Sequence, residues 1–177
     1  MNVKRMVILA ALFCALLGYV LFFESPALKQ SKPAAEQLVK VFSFPENAIQ
    51  SMVIRTGSVQ ATLTRRDKRW ELSAPARTVL NQEQAESLLS TITGLVQIEI
   101  VSQGTEELGQ YGLENPAMSI TLSAAGAAPV TLLVGSDCPT GVSMYGMLQG
   151  TKDVIQVGTL LKFSINSFLD MYVRPAS

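Results

Sequence analysis

From about residue 50 onward, apolar side chains recur at every second position in short runs. Met52 and Ile54 come first, then Val59, Ala61 and Leu63, then Trp70 and Leu72, with polar residues between them. A period of two marks half-buried strands, because successive side chains of an extended chain point to opposite faces. Gly57 and the group Asp67, Lys68, Arg69 interrupt the runs and predict turns, and Pro75 ends the third strand. The spacing therefore predicts a three-stranded meander.

The period changes after Asn81. Ala85, Leu88, Leu89, Ile92 and Leu95 share one helical face, and Asn81 followed by Gln84 has the form of a capping box. Alternation returns at Val96, Ile98 and Ile100, and an acidic turn of helix around Glu106 and Glu107 leads towards Tyr111. Met118, Ile120 and Leu122, an alanine-glycine turn, and Val130, Leu132 and Val134 predict a second hairpin. Val142, Met144 and Leu148, then residues 154–157, predict two further strands. A closing helix over residues 159–172 carries Leu161, Ile165, Phe168 and Tyr172 at helical spacing. Runs of strands, each followed by a helix, define an α+β domain of antiparallel β-meanders packed with two main helices. The halves resemble each other loosely, which leaves a pseudo-repeat open.

One stretch obeys neither period. It begins at Met6, ends at Phe23 and holds no charge, which is long enough to span most of a hydrocarbon core of roughly 30 Å. Lys4 and Arg5 precede it and Glu24 follows, so the positive-inside tendency predicts a cytoplasmic N-terminus. A cleaved signal peptide is the other reading, but its apolar region is usually shorter, and Leu21, Phe22 and Phe23 make a poor cleavage site. A lipidated Cys14 would need small residues where Leu12 and Phe13 stand. The expected organisation is a cytoplasmic segment (1–5), a transmembrane helix (6–23), a tether rich in Pro, Ala, Ser and Lys (24–38) and one extracytoplasmic domain (39–177). This places a single-pass protein in a bacterial inner membrane with its C-terminal domain in the periplasm.

Charge and composition narrow the chemistry. The 14 basic residues balance the 14 acidic ones, which gives no electrostatic footprint for nucleic acid. The chain contains no histidine, and with it go the commonest general base and the Ser-His-Asp and Cys-His arrangements. Cys138 lies in a turn-like stretch without an adjacent lysine or histidine, and a packing role fits it better than an activated thiol. Cys14 and Cys138 fall on opposite sides of the tether and are not expected to pair. Glu106 with Glu107, or Asp137 with Asp153, are the available carboxylate pairs, and a solvated place at a helix start suits Glu106 and Glu107 better. No calcium-loop register is present. No cofactor, metal or catalytic residue is expected, and the chain reads as a non-enzyme.

Three features remain for interaction. Arg65, Arg66, Lys68 and Arg69 form the only basic cluster, broken by Asp67 alone, and would contact anionic lipid or an acidic partner if they do more than solvate a turn. Trp70 alternates with Glu71 and is expected in the core. Phe163, Phe168 and Met171 on the closing helix are expected to cover the sheet rather than face a partner.

The order of these pieces over residues 49–174 resembles the domain-of-unknown-function 4340 family of bacterial envelope proteins. The resemblance rests on the turn and strand from Asp67 to Leu72 with Pro75 beyond, and on the capped helix ending in Leu95. Tyr111, Gly112, Leu113 and Pro116 within YGLENP, and the pair Val134, Gly135, complete it. It implies a membrane-tethered extracytoplasmic protein, often associated with auxiliary proteins of gliding-motility-type ABC transporters, in a family whose chains can be longer and which has no established catalytic residues. The expected role is a binding or assembly module accessory to such a transport or envelope complex. The other expectation is a carrier that holds a lipid or other apolar envelope molecule between sheet and helices.

Overall fold

The alternating runs supply the strands of one antiparallel sheet, although of the run Val96, Ile98, Ile100 only Ile100 lies within a strand. The computed structural model describes residues 39–104 and 107–174, so residues 6–23, with the predicted span, lie outside it. Among the described residues no helix is long and apolar enough to cross a membrane. β1 (Ile49–Thr56), β2 (Val59–Arg66) and β3 (Arg69–Ala74) form the expected meander, extended by the two-residue β4 (Thr78–Val79). Helix α1 (Gln82–Thr93) and β5 (Glu99–Ser102) follow. A 3-10 turn (Leu108–Tyr111) then leads to β6 (Met118–Ala124), β7 (Val130–Asp137), β8 (Ser143–Leu148), β9 (Val154–Gly158) and helix α2 (Leu160–Tyr172).

The strand order is β4-β3-β2-β1-β6-β7-β8-β9-β5. Each half thus starts at the centre of the sheet, runs outward strand by strand and ends in a helix. The halves join where β1 pairs antiparallel with β6, with Ile54 opposite Ile120 and Met52 opposite Leu122. These residues, with Leu63, Trp70, Leu72, Leu132 and Met144, form the inner face of the sheet. Ala85, Leu88 and Ile92 of α1 and Leu161, Ile165 and Leu169 of α2 close over them. Each large side chain buried in this way contributes about 1.5–3 kcal/mol relative to exposure.

Three expectations need correction. Gln84 does not complete a capping box. Asn81 Oδ1 accepts from Glu83 N at 2.9 Å, but the Asn81 backbone amide donates to the Tyr172 hydroxyl at 3.2 Å, and that hydroxyl also hydrogen-bonds Gln84 Oε1. The last turn of α2 therefore caps the first turn of α1, a long-range contact invisible to local pattern. Ile98 and Ile100 do alternate, but Ile98 precedes β5, β5 is an edge strand, and both residues remain exposed. The helical turn expected at Glu106 and Glu107 begins instead at Leu108; Glu106 lies outside the described residues, and Glu107 takes a left-handed conformation (φ 65°) just before the turn.

Candidate interaction surfaces

The YGLENP stretch is a packing device. Gly112 (φ 69°) ends the 3-10 turn and lies against Gly135 of β7. A Cβ on Gly135 would overlap Tyr111 O and come within 3.0 Å of Gly112 C, and one on Gly112 would come within 2.9 Å of Ser136 N. Two backbones touch because neither residue has a side chain. This close approach fixes the loop before β6 over the outer face of the second half. Leu113 there enters a small cluster with Met147 and Val154, flanked by Tyr111, Leu133 and Tyr145. The rings of Tyr111 and Tyr145 meet edge-on at 4.9 Å. Pro116 is half-buried at the loop's exit towards β6.

Cys138 is buried (4% exposed) against the Tyr145 hydroxyl, which suits the packing role expected of it. Burial first, then the neighbouring Cys138 and Tyr111, push the Tyr145 hydroxyl above its ordinary value of 10.0. Among the described residues the candidate carboxylates do not converge. Asp137 pairs with Lys162 Nζ at 2.8 Å, while Asp153 precedes β9 at the other end of the strands. Glu107 accepts from Gln110 Nε2 at 3.0 Å on the surface. Among the described residues, no three Asp, Glu or Cys side chains cluster as metal ligands.

Helix α2 divides differently from expectation. Leu161, Ile165, Phe168 and Leu169 are buried, whereas Phe163 and Met171 are 71% and 56% exposed. At about 100° per residue, Phe163 falls on the side of the helix opposite the stripe centred on Leu161 and Phe168, so it cannot reach the sheet. Phe163 and Met171 instead border a groove of about 330 Å3 between α1 and α2. Its α1 wall holds Ser87, Leu88 and Thr91, and its α2 wall Ser164, Ser167 and Phe168. Ser87, Thr91, Ser164 and Ser167 line the trough with small polar side chains, and Phe163 and Met171 flank it on the α2 side.

Chain-local chemistry also shapes the β2–β3 turn. Asp67 (φ 48°) and Lys68 (φ 67°) both adopt the left-handed conformation of a two-residue type I′ hairpin. Trp70 is buried (1% exposed), as its alternation implied, and the Arg65 guanidinium sits over its ring at 5.8 Å. Arg66, Lys68 and Arg69 are exposed, and none of the four cations makes a salt bridge among the described residues.

A family model described as Domain of unknown function (DUF4340) matches residues 70–172, from Trp70 through the YGLENP loop to the end of α2. The chain belongs to this family. The matched region of this DUF4340 protein takes in the Gly112–Gly135 contact and both walls of the helix groove; the basic turn lies just before it. No curated protein and no solved structure matches the chain.

Proposed function

We propose that this DUF4340 protein is a membrane-tethered interaction module of the bacterial envelope, anchored by residues 6–23, with its α+β domain outside the cytoplasm. Its partner is a protein of a transport or envelope complex, and the groove between α1 and α2 receives an apolar segment of that partner. The observation that carries the reading is the pair Phe163 and Met171, large apolar side chains exposed about two helical turns apart along the α2 side of one groove. Covering Phe163 alone would contribute about 1.5–3 kcal/mol. A tether raises the effective concentration of the domain near a membrane partner, so a small contact of this kind is sufficient.

A carrier for an apolar envelope molecule is the second reading, and the groove volume, within the range of small-molecule sites, favours it. The space between sheet and helices is filled by the core side chains, so such a molecule would lie in the outer groove.

The test is site-specific photocrosslinking of the full-length protein in its native membrane, with the probe at position 163 and a control probe at Gln60 on the far face of the sheet, followed by mass spectrometry. Transport or envelope subunits crosslinked from 163 and not from 60, and lost in Met171→Ser, support the docking reading. Lipid crosslinked from 163 favours the carrier. Equal crosslinking from both positions overturns both.

A further inference from the structure

We propose that the recess beside the β2–β3 turn binds an oxygen-rich anion of the phosphate-ester class. The recess is lined by Arg65 and Lys68 together with Asn47, Gln50, Ser51 and Thr64. Two cationic and four neutral polar residues line it, and among the described residues no carboxylate does. The Glu46 carboxylate, one residue before Asn47, accepts from Thr93 Oγ1 at 2.9 Å instead. Asp67 offsets one charge of the turn, while Arg66 and Arg69 add two more nearby.

Three independent features build this site. Arg65 is held in place, with its Nη1 donating to Asn47 O at 3.5 Å and its guanidinium over Trp70. The pairing of β1 with β6 slips between Ile49 and Ser51, which makes Gln50 a bulged residue beside the recess; bulges are frequent where a side chain is re-aimed next to a site. Lys68 occupies a left-handed position that glycine or asparagine would fill with less strain, so the turn keeps a charge at a conformational cost. Thr64 Oγ1 accepts from Ser73 Oγ at 3.1 Å, and its own proton has no acceptor among the described residues. Charge-assisted donors of this kind bind phosphate oxygens most strongly when several converge.

The inference is independent of the groove and of the partner. It is tested on the full-length protein reconstituted in neutral phosphatidylcholine bilayers, read through Trp70, the only tryptophan of the chain. Inorganic phosphate and glycerol 3-phosphate are titrated against chloride at equal ionic strength. In a parallel arm the protein is reconstituted with phosphatidylglycerol, and amide exchange is followed at residues 65–69. Saturable phosphate binding identifies a soluble ligand; protection by phosphatidylglycerol alone identifies a lipid headgroup. Either response should weaken roughly tenfold or more in Arg65→Gln and in Lys68→Gly, each of which removes one charge-assisted contact. Lys68→Gly suits the type I′ turn, so its loss of binding cannot be assigned to misfolding. No response in either arm, or a response that Lys68→Gly and Arg65→Gln both retain, overturns the assignment.

Discussion

The side-chain amide of Gln82 pairs with both backbone groups of Trp70. Trp70 N donates to Gln82 Oε1 at 2.8 Å, and Gln82 Nε2 donates to Trp70 O and Leu80 O, each at 3.1 Å. The first residue of α1 thus acts as one more strand partner for β3 just where the two-residue β4 stops. Gln82→Ala should lower unfolding stability by about 1–3 kcal/mol, because part-buried backbone groups lose their partners. Gln82→Glu should recover little of it, since a carboxylate can accept from Trp70 N but repels the two carbonyls. Urea denaturation of the three proteins would check this.

The Gly112–Gly135 contact predicts a second large effect. Gly135→Ala should cost about 2–4 kcal/mol, because the added Cβ meets backbone that cannot turn aside. Gly57→Ala provides the comparison, since its Cβ meets nothing and its cost comes from the positive φ alone. A smaller loss for Gly135→Ala than for Gly57→Ala would contradict the account.

Lys68→Gly should raise stability by about 1 kcal/mol, as relief of a left-handed non-glycine residue outweighs the added freedom of the unfolded chain. A thermal melt showing a lower midpoint would refute it.

Two groups give opposite pH limbs. The hydrogen bond from Arg77, at 2.8 Å, with the charges of Arg77 and Arg66, holds the Glu71 carboxyl below its ordinary 4.5, against a smaller opposing effect of burial. A pKa depressed in the folded state gives stability that is present above 4.5 and lost as pH falls through the folded value. Tyr145 is raised from 10.0, so its contribution is complete below 10.0 and fades as pH rises through the folded value. Glu71→Gln should flatten the acid limb only, and Tyr145→Phe the alkaline limb only, in stability measured against pH.

Much of this architecture was legible because its cause is local. The alternation around Met52, Leu63 and Trp70 and the helical face of Ala85, Leu88 and Ile92 name their own buried sides. What escaped sequence reading depends on distant partners. Tyr172 caps α1 from the far end of α2, and Gln84 is drawn to that hydroxyl. Ile98 and Ile100 carry a strand pattern but sit at an edge the helices do not reach. Hydrophobicity alone places Phe163 and Met171 over the sheet, although their angular position on α2 sets them apart from Leu161 and Ile165. Gln50 gave no signal at all, because a bulge exists only once β1 has found β6.

That pairing has a kinetic consequence. Every neighbour in the sheet except β1–β6 and β5–β9 is a strand joined by a short turn, so most of the meanders zip locally. The central ladder must bring together residues as distant in sequence as Ile54 and Ile120, after the entropy of a long loop has been lost. Closing this ladder is then the slow event of folding: Ile120→Val should retard refolding, whereas Val157→Ala should mainly hasten unfolding. The amide hydrogens of β1 and β6 would also be the last to exchange with solvent, released only when the whole domain opens.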